Sequence, residues 1–192
     1  VSCHACYDAP CQLNLQSYAG LTRGANPQDV YSSTRLVADQ PTRLGVDAHS
    51  TVAWRQKGFF PVLNERMSTP EANREAGVMY RLLQMKQARP GPDSGVITDE
   101  DLDFSLDRVP MCARAEGLED YARNHPTRGM PFGLPPLTER EHQTISRWLE
   151  AGAPYSPAAS LPESVNRRVA EWEKFFNADG AKAQLVARYI FE

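Results

Sequence analysis

The residues best suited to chemistry lie at the start of the chain, which holds three of its four cysteines. Cys3 is followed directly by His4, Cys6 and Cys11 come next, and the fourth cysteine lies far downstream. Cys-His is the second half of the Cys-x-x-Cys-His signature, in which two thiols hold haem covalently and the adjacent histidine meets the iron. This pattern predicts haem c bound at Cys3 and His4, with the first cysteine of the signature preceding Val1.

Three other uses of the cysteines stay open on the sequence. Zinc could be held by Cys3, Cys6 and Cys11 with a histidine, although a second tight ligand pair is missing. An iron–sulfur cluster could use all four cysteines, although their spacing matches neither common pattern. Disulfides could join Cys11 to Cys6 or to Cys112, and connectivity cannot be deduced from sequence alone.

A second segment could supply the other ligand of the iron. Met130 and Pro131 lie in a Gly- and Pro-rich loop that leads into a helical pattern. This arrangement looks like the C-terminal part of many c-type cytochromes, in which a methionine sulfur is the sixth ligand. We therefore predict that His4 and Met130 face one iron from opposite sides. The alternatives are that Met130 fills a gap in the core and that His125 is the ligand.

The composition restricts the class of protein. The 192 residues include 21 Lys and Arg against 24 Asp and Glu, a net charge of −3. This charge lacks the basic footprint of a nucleic-acid-binding domain, so we expect no nucleic-acid partner. No stretch approaches the ~20 apolar residues of a membrane-spanning helix. The 15 prolines predict long irregular connections between the helices.

Helical periodicity predicts the elements that position these residues. Apolar stripes and helix-start signals indicate four helices, near residues 69–88, 138–151, 163–177 and 181–192. Ser68 or Thr69 can cap the first of these helices, and Glu71 lies three residues after Ser68, as in a capping box. Thr138 with Glu141 has the same spacing.

The rest of the chain shows little periodicity. The first 50 residues are largely irregular, and residues 50–57 indicate a short helix. Residues 99–120 carry eight carboxylates against two arginines, which indicates a solvated loop without the spacing of a calcium loop. We predict an all-α fold with long irregular loops. Because the chain begins at Val1 and its last helical pattern has no stop signal, we expect a fragment of a longer chain.

Several phrases of the sequence carry a resemblance to one family. They are the run from Cys3 to Leu15, the phrase Trp54-Arg55, the run from Gly58 to Asn64, Met130-Pro131, and the run from Leu185 to Ile190. The stretch from Cys6 to Leu13 is the most specific, since ordinary cytochromes do not carry it. On these residues the chain resembles the fatty acid cis/trans isomerases, periplasmic bacterial enzymes with a c-type haem.

The resemblance implies a reaction, a cofactor and a location. It implies one cytochrome c-like haem-bearing domain over residues 1–192, with Cys3, His4 and Met130 binding the haem and His4 and Met130 serving catalysis as iron ligands. The reaction would convert cis double bonds of membrane fatty acyl chains to trans and so stiffen a stressed membrane. The implied partners are unsaturated fatty acids or phospholipid acyl chains, the membrane surface transiently, and the rest of the longer chain.

The implied periplasmic location also bears on the remaining cysteines. In an oxidising compartment the thiols not used by haem favour a disulfide. We favour Cys11–Cys112, because closing a long loop stabilises a fold more than closing a short one in the chain-entropy model. Two other functions stay open: a periplasmic electron-transfer module with the same haem, and a haem-free domain whose cysteines are structural.

Overall fold

The computed structural model describes residues 2–32, 35–37, 39–91, 111–157 and 160–191. Within these ranges the chain forms eight α-helices: α1 (Tyr18–Arg23), α2 (Thr51–Gln56), α3 (Pro70–Ala76), α4 (Val78–Ala88), α5 (Leu118–Asn124), α6 (Glu139–Glu150), α7 (Glu163–Phe176) and α8 (Ala181–Phe191). The β pairing in the described ranges is an isolated bridge between Ala25 and Phe60. The all-α prediction is therefore confirmed for this part of the chain. None of these helices is long and apolar enough to cross a membrane.

The chain divides into two compact units, Val1–Tyr155 and Ser156–Glu192. The first unit contains α1 to α6, all four cysteines and the candidate ligands. The second unit contains α7 and α8, which pack against each other. Each unit is helical, and the cytochrome c-like arrangement of one haem-bearing domain stays a prediction.

The helix expected near residues 69–88 is divided in two at Gly77. The Gly77 backbone is extended, with φ −76° and ψ 102°. The N–H of Met79, in the first turn of α4, donates to the carbonyl of Val62 at 3.0 Å, so a tertiary contact satisfies a donor that has no partner within the helix. Thr69 caps α3 by accepting a backbone hydrogen bond at 3.2 Å. The predicted capping box at Ser68 is therefore wrong.

The capping box predicted for α6 is confirmed. The Thr138 hydroxyl accepts from the N–H of Glu141 at 3.4 Å, and the Glu141 carboxylate accepts from the N–H of Thr138 at 3.0 Å. The apolar face of α6 packs on α3 and α4, where Leu149 is buried with Leu83 and Ala153. The loop that contains Met130 leads directly into α6, so this packing fixes the end of the loop.

Two short helices were not expected from the sequence. Residues 118–124, which overlap the predicted acidic loop, form α5 because Leu118 is buried against Val78 and Ala113. Helix α1 has six residues, too few for a periodic pattern to be recognised. Residues 99–110 of the predicted acidic loop lie outside the described residues. The short helix predicted over residues 50–57 is confirmed as α2.

Candidate functional site

His4 lies in a short 3-10 turn, and its ring is held by the chain that follows it. Nδ1 lies 3.1 Å from the carbonyl oxygen of Leu13. The backbone carbonyl of His4 accepts a hydrogen bond from the N–H of Leu15 at 2.8 Å. Since a carbonyl oxygen can only accept, Nδ1 carries the ring proton and the lone pair lies on Nε2. This is the arrangement of a metal-ligating histidine, whose other nitrogen donates to a carbonyl.

The environment of His4 also favours the neutral ring. Burial lowers the pKa of the His4 imidazole below its ordinary value, because desolvation disfavours the charged form, while the hydrogen bond to Leu13 raises it in part. At pH 7 the ring is therefore neutral, which is the protonation state that binds a metal. Beside it, Cys3 is exposed and free. These residues fit one half of a c-type haem site, a free and exposed thiol next to an oriented neutral imidazole.

Cys11 and Gln12, the two residues before Leu13, have a left-handed backbone. The φ angle is 54° at Cys11 and 49° at Gln12, a conformation that costs a non-glycine residue on the order of 1 kcal/mol or more. Tertiary contacts hold both residues there. Cys11 is disulfide-bonded to Cys112, and its carbonyl accepts from the N–H of Asn26 at 2.8 Å. The Gln12 carbonyl accepts from the guanidinium of Arg23.

The predicted pairing of Cys11 with Cys112 is confirmed, with the two Cα atoms 5.7 Å apart. A disulfide sulfur is not a thiolate, so the zinc set and the four-cysteine cluster each lose ligands that they need. Among the described residues, no group of three or more His, Cys, Asp or Glu side chains could hold a metal ion. The thiols left free are those of Cys3 and Cys6.

Met130 lies in a loop that is fixed against α4. Its backbone N–H donates to the carbonyl of Leu82 at 2.9 Å. The preceding residue, Gly129, makes this approach possible, because a Cβ atom there would lie 2.4 Å from the nitrogen and 2.8 Å from the Cα of Lys86. The Met130–Pro131 peptide bond is cis. Backbone contacts therefore place Met130, and a larger residue at position 129 would displace it.

Helix α4 connects the two segments that hold the candidate ligands. Leu15, whose N–H binds the backbone of His4, packs against the same core cluster as Met79 of α4. Met130 binds Leu82, three residues farther along that helix, which is a rise of about 4.5 Å. The two segments are therefore linked through this core cluster and α4. That His4 and Met130 ligate one iron stays a prediction.

The alternative ligand, His125, is in a different setting. It follows the last turn of α5, and the centre of its ring lies 5.4 Å from that of Tyr121. The tilted ring pair is an ordinary aromatic contact. That His125, in place of Met130, is the second iron ligand stays the alternative prediction.

A cavity of about 560 Å³ opens beside the Cys11–Gln12 turn. Residues from both sides of this turn contribute to its wall, among them Tyr7, Gln12, Tyr31, Arg35 and Thr42. Neither candidate ligand lines it.

Comparison with protein-family models adds evidence that is independent of this geometry. Residues 39–192 match the model described as fatty acid cis/trans isomerase. The match covers well over half of the chain, includes Met130, and begins after Cys3 and His4. Comparisons with curated proteins and with solved structures found no match.

Proposed function

Because the chain belongs to the fatty acid cis/trans isomerase family, we propose that it converts cis double bonds of membrane fatty acyl chains to trans at a covalently bound haem c. Trans chains pack more tightly than cis chains, so the reaction would stiffen a membrane under stress. We place the protein in the periplasm, where an oxidising environment supports its disulfide. Unsaturated fatty acids or phospholipid acyl chains would be the substrates, reached by transient contact with the membrane surface.

The observation that supports the haem is the fixed ring of His4 beside the free thiol of Cys3. Cys3 would tether the haem, and His4 would present Nε2 to the iron. The Leu13 carbonyl keeps the proton on Nδ1 and so raises the basicity of Nε2. When bound, haem iron would supply an electrophile that draws electron density from the π bond and eases rotation about it. Met130 would offer a thioether, which is a weak ligand of iron. An alkene could displace it.

Two variants test the covalent attachment. Cys3 and Cys6 are both free and exposed, but only Cys3 precedes the candidate ligand. We therefore expect Cys3→Ser to retain less haem that survives denaturation than the wild-type protein, because one of the two predicted thioethers is lost, whereas Cys6→Ser retains the wild-type amount. The measurement is haem staining after denaturing electrophoresis, together with the reduced α band of the native protein. Equal haem retention in the two variants would remove Cys3 from the site.

The reaction is tested by gas chromatography of membrane fatty acids from cells that make the haem-loaded protein. The trans-to-cis ratio should rise with expression. A protein that holds its full complement of haem and yields no trans fatty acid would contradict the isomerase proposal. Electron transfer, which would use the same haem, would then be the better-supported function.

A Met130→Ala variant distinguishes a displaceable iron ligand, as expected in an isomerase, from a permanent one, as expected in an electron carrier. If the iron must meet an alkene, Met130→Ala opens the sixth position and should leave isomerisation unchanged or raise it, provided that haem is retained. An electron carrier would instead lose the high potential that a thioether confers. The assay is the trans-to-cis ratio per haem, with the reduction potential measured on the same samples.

A matched control for Met130→Ala is Met67→Ala, because the Met67 side chain is 64% exposed. This control should change neither the potential nor the ratio. A haem-loaded Met130→Ala protein that makes no trans fatty acid would contradict the proposal that the alkene reaches the iron at the position of Met130.

A further inference from the structure

Arg23 is 2% exposed and is a fully buried side chain at the end of α1. Its Nη1 donates to the carbonyl of Thr42 at 2.9 Å, and its Nη2 donates to the carbonyl of Gln12. The guanidinium carbon lies 5.5 Å from the ring centre of Trp54 and 4.9 Å from that of Phe59. Two carbonyls and two aromatic faces therefore compensate in part for the burial of the charge, while Nε is buried with no hydrogen-bond partner among the described residues.

One of the two carbonyls that Arg23 binds is that of Gln12. Gln12 directly precedes Leu13, whose carbonyl binds His4. Gln12 has a φ angle of 49°, and such a conformation persists only where the surroundings determine it strongly. Leu13 then returns to an extended backbone, with φ −75° and ψ 116°, and its carbonyl meets Nδ1 of His4. The direction of the Leu13 carbonyl depends on the peptide plane just before it, which Arg23 holds.

We propose that Arg23 is a positioning residue for His4: by binding the Gln12 carbonyl it holds the left-handed turn, and so holds the Leu13 carbonyl that keeps the His4 proton on Nδ1. This inference rests on the proposed role of His4 as the iron ligand. Changes to the partners of a metal-ligating histidine commonly cost 10- to 100-fold in affinity or activity, so Arg23 should influence the haem without touching it.

The substitution that isolates this role is Arg23→Lys. An ammonium can remain over the rings of Trp54 and Phe59, but it lacks the planar fork that donates to two separate carbonyls. We expect the variant to fold and to lose the preference of His4 for the Nδ1-protonated form. The readout is the pair of ring ¹⁵N chemical shifts of His4, measured in the haem-free protein. In the haem-loaded protein we expect a shifted reduction potential and roughly 10-fold lower isomerisation.

The matched control is Arg55→Lys. Arg55 also donates to backbone carbonyls, to that of Arg23 at 2.7 Å and to that of Thr22 at 3.3 Å. Its described hydrogen bonds include none to the turn at residues 11–13. The control therefore disturbs the same end of α1 and should lower the denaturation midpoint, while the ring shifts of His4 stay at their wild-type values.

The outcomes separate this proposal from the haem assignment. Wild-type ring shifts for His4 in Arg23→Lys would overturn it, and so would ring shifts that change equally in Arg55→Lys. If Arg23→Lys does not fold while Arg55→Lys does, Arg23 is a structural residue and the proposal also fails. Absence of haem from the wild-type protein would refute the proposed function, yet the measurement on the haem-free protein would still decide the role of Arg23.

Discussion

Replacing His4 with alanine should abolish isomerisation, with a loss of at least about 100-fold. The Nε2 lone pair of His4 is the one that the Leu13 carbonyl leaves free for iron, and without it the iron is neither held nor tuned on its proximal side. The measurement is the trans-to-cis ratio of membrane fatty acids by gas chromatography. Haem content is determined on the same samples, since a thioether at Cys3 can retain haem that has lost its histidine.

The matched control is His125→Ala, which removes a half-buried imidazole at the end of α5. We expect this variant to keep both its haem and its activity. A His4→Gly protein with imidazole in the medium should regain part of the lost activity, because the free ligand can enter the space left by the side chain. Should His125→Ala lose its activity as well, His125 would be the second iron ligand in place of Met130.

Loss of the Cys11–Cys112 disulfide should destabilise the protein by about 4–5 kcal/mol in the chain-entropy model. The bond joins residues separated by 101 positions, so it removes much of the freedom of the unfolded chain. It also anchors the left-handed turn whose next residue binds His4, so haem binding should weaken as well. The measurement is urea denaturation of Cys112→Ser under oxidising conditions, with haem content determined in parallel.

Cys6→Ser is the control for this experiment. Its thiol is free and exposed, so its removal should change the free energy of unfolding by less than about 0.5 kcal/mol. Addition of a reductant to the wild-type protein should reproduce the effect of Cys112→Ser. A loss below about 1 kcal/mol in both cases would mean that non-covalent contacts, rather than the disulfide, set the stability of this region.

The features determined by the sequence alone are those encoded by neighbouring residues. Helix α6 follows from the Thr138–Glu141 capping box and the apolar stripe behind it, because both signals act within a few residues. The periodic patterns that predicted α7 and α8 are local in the same way. The adjacency of Cys3 and His4 is also a property of the sequence, and it is the basis of the predicted haem attachment.

Other features depend on contacts between distant residues. The break at Gly77 follows from the carbonyl of Val62 accepting the N–H of Met79, and α5 forms because Leu118 is buried. Such contacts override local propensity, because burial and tertiary hydrogen bonds contribute more free energy than the preference of one residue for a helix.

The setting of His4 is the clearest case of a feature that only the tertiary structure decided. The sequence supplied the imidazole beside a cysteine. Its orientation depends on the Leu13 carbonyl, which follows a turn that no local preference would place in the left-handed region. That turn is held by Arg23 and by the disulfide to Cys112, both brought there by the fold. Residue types therefore determined which atoms could bind haem, and long-range contacts determined which nitrogen of His4 is free to do so.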